Sequence, residues 1–525
     1  MGLAAKSGVQ APFMCGGTFT LPGRKALPRL LLNYLAQEFV MSQRIFSPMW
    51  KGKTMSEKSI IKAAVVFVGV LASLLAATSW CRGESRLVLY PAPKGEELSK
   101  DWSVEVNGRA VDVYTARVND PPFEKYDFGG AYSFASFDFS GSATVRVRDL
   151  TSRPLEQTQI QPVSKGIRSK RVDERTAEFT LDKPCQLSVE PQRRRHPLLI
   201  FANPLEEKPP KSGDENVIYF GPGLHEPEGG KIKLASNQTL YLAGGAVVKG
   251  GLEVRGENIT IRGRGILCGN PWPWRKGPTS TMIDMQGCRN VMIEGITLRG
   301  SSHWTIVPKN CDNVTISNVK ICGGRVQNDD GINPCNSRRV RIADCFIRSD
   351  DDCVAAKGLV AESGDVDDVR IERSVLWCDR ARVTLLGHES RAPHMRNLLY
   401  RDIDIIHFTM TAFLLEPGEE MILEDVRFED IRINGEGQRD LAIVQPTVNQ
   451  YMRTKVPGHI RNITFKNITV SGQPGPYRVT VNGRDAEHRT ENVTFENVRI
   501  LGQPLAEGQS NMIIGNYTDG IQFKP

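Results

Sequence analysis

Apolar and polar residues alternate in short runs over the part of the chain that follows residue 85. Trp102-Ser-Val-Glu-Val, Ser133-Phe-Ala-Ser-Phe-Asp-Phe and Ala143-Thr-Val-Arg-Val-Arg place apolar side chains at every second position, as half-buried strands do. Asn107-Gly108 lies between two such runs and is typical of a tight turn. The pattern therefore predicts a small antiparallel β-sandwich over residues 84–205.

A different pattern begins after Val217. A polar residue, often Asn, precedes a Val or Ile, any residue and a further apolar residue, and this unit recurs every 23 to 37 residues. The units begin at Asn258, Asn290, Asn313, Arg339, Asp368, Asn397, Asp425, Asn462 and Asn492. A single coil leaves its strand edges unpaired and half of its core exposed. Stacking the next coil supplies the missing hydrogen bonds and buries the exposed core. Because no helix-forming stretch separates the units, the period predicts a parallel β-helix over residues 216–525.

The segment ahead of the sandwich has the features of an export leader. Two lysines precede an apolar run from Ala63 to Ala77, and small residues follow. The run is short for a membrane span, which needs about 20 residues. We therefore predict a signal peptide over residues 55–83 and export to the periplasm or the extracellular space, with an uncleaved anchor as the alternative. Because export signals lie at the true N-terminus, residues 1–54 are interpreted as a mis-assigned extension ahead of Met55.

Charge and cysteine content narrow the possible partners. The formal net charge is +7, but residues 1–54 carry +6 and residues 55–83 carry +2, so the remainder is close to neutral. We therefore expect no nucleic-acid partner and no stable membrane partner. Nine of the eleven cysteines follow the leader, and an odd number cannot all pair. The sequence therefore leaves two alternatives for these cysteines, buried thiols and disulfides.

Carboxylates crowd into one short stretch of the predicted solenoid. Asp330 and Asp351 are 21 residues apart, about one coil, and Asp352 follows directly. Stacked coils lie about 4.8 Å apart, so these carboxylates are close enough to repel one another. Their placement therefore does not stabilise the fold. Glycoside cleavage needs one protonated carboxyl and one ionised carboxylate, and crowding separates their pKa values. Catalysis, Ca²⁺ binding and a solvated turn are the alternatives.

Calcium ligands usually alternate with Gly or Asn in a loop, whereas these aspartates flank strand-like segments. We therefore expect no metal and no cofactor. A regular strand would put Asp350 and Asp352 on one face and Asp351 on the other. Asp351 and Asp352 line one cleft only if a turn or bulge intervenes there.

These residues resemble the motifs of glycoside hydrolase family 28, the polygalacturonase and rhamnogalacturonase group. Asn328-Asp-Asp-Gly-Ile-Asn333 matches the family's Asn-Thr-Asp-Gly-Ile-Asp, and Asp350-Asp-Asp-Cys-Val-Ala-Ala-Lys357 matches its Gly-Asp-Asp-Cys-Ile-Ala-Ile-Lys. His303-Trp304-Thr-Ile resembles the family segment that ends in Trp-Thr. The resemblance covers about residues 216–500 and implies a right-handed parallel β-helix. The predicted layout of a sandwich followed by a β-helix also resembles the dextranase-like glycoside hydrolase family 49.

The resemblance implies an inverting glycosidase with a role for each aspartate. Asp351 aligns with the general acid, Asp330 and Asp352 align with the pair that activates water, and Asp350 stands where the family has Gly. Further substrate-binding residues predicted here are Asn328, Lys357, Arg380, Arg382, His388 and Trp304. Trp304 is either a platform for a sugar or a buried aromatic, and His388 is either a replacement for a family histidine or a polar turn residue.

Two family motifs are missing from the chain. The family's Gly-His-Gly should fall near Arg380-Ala-Arg382, and its Arg-Ile-Lys, which holds the uronate carboxylate, should fall near Phe413-Leu-Leu415. An unneutralised carboxylate in a closed site is costly. A neutral sugar, another uronic acid or a sulfated glycan is therefore as well supported as galacturonate. We expect a monomer that acts on a polysaccharide or oligosaccharide.

Two other functions stay open at this point. A polysaccharide lyase on the same fold would use the Arg380 and Arg382 pair, and a non-catalytic glycan-binding solenoid would use the face for contact alone. Trp272-Pro-Trp274 is expected in a loop that interrupts the solenoid, either exposed for sugar binding or packed. Glu416 is expected in a solvated turn, with a position in the cleft lining as the alternative.

Overall fold

Eleven strands form a two-layered domain at the start of the described chain. The computed structural model describes residues 85–151, 153–155 and 158–525, so the predicted extension and signal peptide lie outside the described residues. The strands are β1 (Arg86–Leu89), β2 (Trp102–Val106), β3 (Arg109–Val111), β4 (Val113–Ala116), β5 (Tyr132–Ser140), β6 (Ala143–Asp149), β7 (Gln159–Gln161), β8 (Lys170–Asp173), β9 (Thr176–Leu181), β10 (Cys185–Glu190) and β11 (Leu198–Pro204).

Two sheets enclose the core of this domain. One has the order β1-β5-β11-β10-β7, with β4 also paired to β5, and the other has the order β3-β2-β6-β9-β8. The alternation predicted for β2 and β6 buries Trp102, Val104 and Val145 between the sheets. Every pair is antiparallel except β5 with β11, which run parallel. The predicted sandwich is confirmed, with this one parallel pair as a difference.

Thirty further strands build the solenoid. They are β12 (Val217–Phe220), β13 (Gly223–His225), β14 (Lys231–Leu234), β15 (Thr239–Leu242), β16 (Ala246–Lys249), β17 (Gly251–Gly263), β18 (Ile266–Cys268), β19 (Ile283–Glu294), β20 (Thr297–Arg299), β21 (Ile306–Lys309), β22 (Asp312–Ser317), β23 (Lys320–Cys322), β24 (Arg338–Ala343), β25 (Phe346–Ser349), β26 (Val354–Ala356), β27 (Val366–Glu372), β28 (Val375–Cys378), β29 (Arg382–Gly387), β30 (His394–His407), β31 (Thr411–Glu416), β32 (Ile422–Glu436), β33 (Asp440–Val444), β34 (His459–Gln473), β35 (Arg478–Val481), β36 (Thr490–Glu496), β37 (Arg499–Ile500), β38 (Gln503–Pro504), β39 (Met512–Ile514), β40 (Thr518–Asp519) and β41 (Gln522–Lys524).

The coils stack into three faces. The first face contains β12, β15, β22, β24 and β27, and the second contains β13, β16, β18, β20, β23, β25 and β28. The third face contains β14, β21, β26, β29, β31, β33, β35 and β39. The strands of neighbouring coils pair in parallel, whereas the short β37–β38 pair and the isolated Gly418–Pro457 bridge are antiparallel. The predicted right-handed parallel β-helix is confirmed.

The helical segments of the described residues are three single 3₁₀ turns. They span Val163–Lys165, Glu228–Gly230 and Ala361–Ser363. None is long enough or apolar enough to cross a membrane.

A polar residue with left-handed backbone opens each repeat unit. All nine positions predicted from the repeat have φ between 53° and 59°. Asn and Asp tolerate this region better than other non-glycine residues because their short side chains bond to nearby backbone groups. Asn290 Nδ2 donates to Asn258 Oδ1 (3.0 Å), and Asn313 Nδ2 donates to Asn290 Oδ1 (2.9 Å). The repeat therefore marks a backbone corner and a hydrogen-bond ladder between coils.

The cysteines are buried as free thiols. This holds for all nine cysteines of the described residues. Cys288, Cys345 and Cys353 lie among the aliphatic side chains of the solenoid core, where a thiol behaves as a small apolar group. Of the two alternatives left open by the sequence, the buried thiol is the one that the structure contains.

The sandwich packs on the second face of the solenoid through apolar rings and buried cations. The rings of Phe201 and Phe346 are 5.5 Å apart, and Tyr132 Oη donates to the backbone oxygen of Gly323 (2.9 Å). Buried cations of the solenoid bond to sandwich groups: Arg264 to Asp138 (2.9 Å), Arg299 to Glu96 (2.7 Å), Lys320 to Asn203 (2.9 Å) and Arg348 to the backbone oxygen of Phe128 (3.0 Å). Each charge removed from water has a partner, as burial requires.

Arg348 is a fully buried cation of this interface. Its guanidinium lies 4.1 Å from the ring centroids of Tyr132 and Trp377, and its Nε is 2.9 Å from Asp379 Oδ2. Removing one partner of a buried ion pair costs about 3–5 kcal/mol because the other charge is left unpaired.

We predict that Arg348→Ala lowers the free energy of unfolding by about 3–5 kcal/mol in urea titrations. Arg338→Ala is the matched control, because the Arg338 side chain is 61% exposed, and it should change stability by less than about 0.5 kcal/mol. Equal losses in the two variants would contradict this role for Arg348.

His407 couples the sandwich to the solenoid with a charge that depends on pH. Its Nε2 is 2.9 Å from Glu190 Oε1 and its Nδ1 is 3.1 Å from Glu436 Oε1. Burial opposes the charge, but the two glutamates outweigh it and raise the pKa of His407 to about 9. A raised histidine pKa adds stability that is complete below the unfolded pKa of about 6.5 and is lost as pH rises through the folded pKa.

We therefore predict that His407→Gln destabilises the protein most at pH 6 and that the loss shrinks as pH rises through about 9. Free energies of unfolding measured from pH 6 to pH 10 for both proteins test this. A difference that does not change with pH would show that the His407 ring contributes packing alone.

Candidate active site

A cleft of about 970 Å³ opens beside the third face of the solenoid. Its walls carry all nine residues predicted for the site: Asn328, Asp330, Asp351, Asp352, Lys357, Arg380, Arg382, His388 and Trp304. Other wall residues include Lys231, Arg275, Gln327, Glu389 and Tyr451. The structure therefore brings together every residue that the sequence placed at the site.

Coil stacking puts Asp330 and Asp352 at equivalent positions on neighbouring coils. Ile332 and Val354 form a parallel bridge, and both aspartates lie two residues before these partners. Gly331 N donates to the backbone oxygen of Asp352 (2.9 Å). Neighbouring coils are about 4.8 Å apart, so the two carboxyl groups come from directly stacked backbone positions.

A bend between β25 and β26 lets Asp351 and Asp352 line the same cleft. β25 ends at Ser349 and β26 begins at Val354, so the residues between them leave the strand ladder. Ser349 Oγ donates to the backbone oxygen of Asp351 (2.7 Å), and Asp352 N donates to Asp351 Oδ1 (3.1 Å). The turn that strand alternation required is therefore present.

Cations surround Asp351. Arg380 Nη2 lies 2.8 Å from Asp351 Oδ2 and 2.7 Å from Asp350 Oδ2. Burial disfavours the charge of Asp351, but Arg382, Arg380 and Lys357 outweigh burial and hold the pKa of this carboxyl below its ordinary value. In the free protein Asp351 therefore stays ionised to lower pH than an ordinary aspartate does.

Asp330 and Asp352 are shifted in the opposite direction. Burial, and then the charge of Asp351, raise the pKa of Asp330 well above its usual range, although Lys357 Nζ is 3.6 Å away. Burial also raises the pKa of Asp352 to about 6, although Arg382 Nη2 donates to it (3.1 Å). The three neighbouring carboxyl groups are thus driven apart in pKa, and Asp351 is the most acidic of them in the free protein.

One oxygen of Asp330 has no partner. Asn333 Nδ2 donates to Asp330 Oδ2 (2.8 Å), whereas Oδ1 is buried and makes no hydrogen bond with any described residue. Buried polar atoms without partners are rare and mark reactive groups or bound water.

Lys357 closes the floor of the cleft. Its Nζ lies 2.9 Å from Glu389 Oε1 and 4.4 Å from the ring centroid of Trp304. Trp304 in turn stacks on His303 at 5.4 Å and is partly exposed to the cleft. Glu389 was missed by the sequence analysis, because its partner is 32 residues away and no motif links the two.

The prediction that Glu416 lies in a solvated turn is wrong. Glu416 ends β31, which pairs in parallel with β29 and sets Glu416 beside Gly387. The neighbouring His388 therefore reaches it, and the ring Nδ1 forms a hydrogen bond with Glu416 Oε1. Tyr451 packs on the other side of His388, with ring centroids 5.0 Å apart.

The loop that contains Trp272 and Trp274 is packed against the sandwich domain. Trp274 meets Phe123 edge-on at 5.2 Å, and Arg325 Nη2 donates to the backbone oxygen of Trp272 (2.9 Å). Arg325 is also paired with Asp120 of the sandwich (2.8 Å). This loop leads directly into the cleft wall, so the sandwich supports the wall from behind.

Strand β31 carries no cation where the family motif would place one. Phe413 and Leu415 are buried in the core, and Arg380 and Arg382 are already bonded to aspartates. Arg275 differs, because its Nη2 donates to Asn328 (3.1 Å) and it has no carboxylate partner within the described chain.

Comparison with known proteins gives a family match over part of the solenoid. Residues 252–365 match the family model for glycosyl hydrolases family 28. The predicted resemblance to that family is confirmed. The matched segment includes all three aspartates of the cleft.

The similarity to individual proteins is limited in extent. A probable polygalacturonase from Vitis vinifera is 35% identical over 111 residues, which is 20% of this chain and 22% of that protein. A second probable polygalacturonase, from Arabidopsis thaliana, is 34% identical over 102 residues, or 19% of this chain and 22% of that protein. The chain therefore spans about a fifth of the length of the curated relatives it matches.

A solved structure extends the likeness over both domains. The structure of Dex49A from Penicillium minioluteum has a TM-score of 0.58 and covers 83% of this chain and 96% of its own, at 16% identity. At this identity the likeness shows a shared fold. It confirms the predicted layout, in which a sandwich precedes a parallel β-helix.

Proposed function

We propose that this chain is an exported glycoside hydrolase that cleaves a polysaccharide by single displacement with water. Asp351 protonates the leaving oxygen, and Asp330 and Asp352 activate the water. One observation carries the proposal: three aspartates that match the family 28 motif meet in one cleft. The apolar run at residues 63–77 supports export.

The stacked pair suits the activation of water. Asp330 Oδ1 has no hydrogen-bond partner within the described chain and is therefore open to a water molecule. In the displacement, the water oxygen bonds to the anomeric carbon and a water proton passes to the pair. The glycosidic bond breaks towards the leaving oxygen, which takes the proton of Asp351. The sugar centre is inverted because no covalent intermediate forms.

Arg380 controls when Asp351 holds a proton. Arg382, Arg380 and Lys357 together keep Asp351 charged in the free protein, and opening the ion pair with Arg380 removes one of these three cations. Arg380 is 26% exposed and also bonds to Asp350, so its guanidinium can stay on Asp350 while a sugar covers Asp351. Loss of the cation and exclusion of water then both raise the pKa of Asp351.

The cations of the cleft argue against a lyase. A lyase needs a base that removes a proton next to a carboxylate. Burial opposes the charge of Arg380 and Arg382, but the neighbouring aspartates outweigh it and raise the pKa of both. Lys357 has a raised pKa for the same reason, beside Asp330 and Glu389. Cations held in this way do not take up a further proton.

The cleft favours a sugar without a carboxylate at the bond that is cleaved. The cations nearest to the trio are neutralised by it, and β31 adds none. Arg275 is the wall cation without a carboxylate partner in the described chain, so an anionic group of the glycan would bind there, at a distance from the trio.

We predict that Asp330→Asn, Asp351→Asn and Asp352→Asn each lower kcat by about 10²-fold or more. A polysaccharide panel assayed for reducing ends and for ultraviolet absorbance identifies the substrate, and proton NMR of the first product gives its anomeric configuration. Asp312→Asn, on the first face, is the control and should retain activity. Ultraviolet-absorbing products would indicate a lyase. Measurable glycan binding by the wild type and the control, without turnover by either of them, would indicate a binding solenoid.

We predict that Arg380→Gln moves the alkaline limb of the kcat/KM profile to higher pH. The variant removes one of the three cations that lower the pKa of Asp351, and an acid with a higher pKa stays protonated to higher pH. Arg370→Gln, on the first face, is the control. If the acidic limb moves instead, Asp351 acts in its ionised form and the assignment of the acid is wrong.

A further inference from the structure

Two histidines and a glutamate from three successive coils meet outside the cleft. Glu420 precedes β32, His459 opens β34 and His488 precedes β36. Strand pairing sets Ile422 beside His459 and Ile460 beside Thr490, so the three side chains follow one another along the stack. Their ligand atoms all lie within 4.8 Å of one another. No motif in the sequence links residues so far apart.

The spacing of these atoms is that of ligands around one ion. His459 Nε2 is 3.3 Å and His488 Nε2 is 3.6 Å from the same oxygen, Glu420 Oε2. Metal bonds of about 2.0–2.1 Å in tetrahedral geometry separate two ligands by about 3.4 Å. The two distances from Glu420 Oε2 to the histidine nitrogens therefore match two ligand–ligand distances of a tetrahedral metal site.

Asp485 fixes the ring of His488 in the orientation that a metal requires. Asp485 Oδ1 accepts hydrogen bonds from His488 Nδ1 (2.8 Å) and from the His488 backbone N–H (2.9 Å). In the neutral ring the proton is then on Nδ1, and the lone pair of Nε2 faces Glu420. A carboxylate behind a ligand histidine fixes the tautomer in this way at many metal sites.

The cluster is poorly explained by hydrogen bonds alone. With Nδ1 protonated, neutral His488 offers an acceptor to the carboxylate of Glu420, which is also an acceptor. Two acceptors that face each other repel unless a cation lies between them. A proton on Nε2 is one such cation and a metal ion is the other.

We propose that Glu420, His459 and His488 bind a divalent cation of the Zn²⁺ type, which ties three successive coils together. Imidazole with one carboxylate suits Zn²⁺, Ni²⁺ or Cu²⁺, and water completes the coordination. Glu420 is 62% exposed, so the ion enters from solvent. The site is separate from the hydrolase cleft and does not depend on the function proposed for it.

The test uses the full chain after treatment with a chelator and removal of the chelator. Isothermal titration with ZnCl₂ should show one site per chain, and the melting temperature should rise with Zn²⁺ because the ion binds the folded state. Co²⁺ should give the intense visible absorption of a tetrahedral site with nitrogen ligands.

Variants separate the metal site from an ion pair. Glu420→Gln and His459→Gln should each lower Zn²⁺ affinity at least about 100-fold, and Asp485→Asn should lower it about 10–100-fold. His394→Gln is the control, because His394 pairs with Glu424 (3.0 Å) on neighbouring coils without a second histidine. That variant should keep the affinity of the wild type.

Two results would overturn the proposal. One is the absence of stoichiometric Zn²⁺ binding by the wild type at pH 7.5. The other is equal binding by the wild type, Glu420→Gln and His459→Gln, with each variant folded by circular dichroism. In either case the cluster is an ion pair in which a proton, and not a metal, lies between the acceptors.

Discussion

Parallel pairing from one coil to the next is the interaction on which the rest of this structure depends. It aligns equivalent positions at strand spacing, and it turns residues that are 20 to 40 positions apart in sequence into direct neighbours. Asp330 and Asp352 are stacked for this reason, and so are Gly387 and Glu416. The same register brings Glu420, His459 and His488 together. The stacked aspartates of the cleft and the Glu420 cluster are therefore columns of the solenoid, built from residues on successive coils.

Burial determines the chemistry of those columns. On the second face, the sandwich removes four cations from water, and each has a carboxylate, amide or carbonyl partner. On the third face, the cations and carboxylates nearly balance but are unevenly shared. Asp351 receives Arg380, while Asp330 keeps one oxygen without a partner. The sandwich contributes to this face as well, since Phe123 packs on the loop that leads into the cleft wall and Asp120 pairs with Arg325, which bonds to the same loop.

Much of this could be predicted from sequence, for physical reasons. The repeat was visible because the corner needs a left-handed residue and the ladder prefers Asn. The three aspartates could be predicted because acid–base cleavage requires carboxyl groups at a fixed order and spacing along the chain. Contacts across coils were harder to predict. The roles of Glu389 and Glu416 depend on their contacts with Lys357 and His388 on neighbouring coils. Because coil length varies from 23 to 37 residues, the sequence does not show which residues of two coils are paired. The contact of the sandwich with the second face left no period in the sequence to detect.

The hydrogen-bond ladder between the left-handed corners of the coils must be kept for the coils to stack, whereas the segments between the corners can vary in length. The two longest steps between corners run from Asn258 to Asn290 and from Asp425 to Asn462. Their additional residues contain Arg275 and Tyr451, which are both walls of the cleft. Residues inserted between two corners change the cleft without disturbing the amide contacts on either side. Evolution can therefore lengthen, shorten or replace the walls one coil at a time, and new glycan specificities can arise on a frame whose stability is set elsewhere.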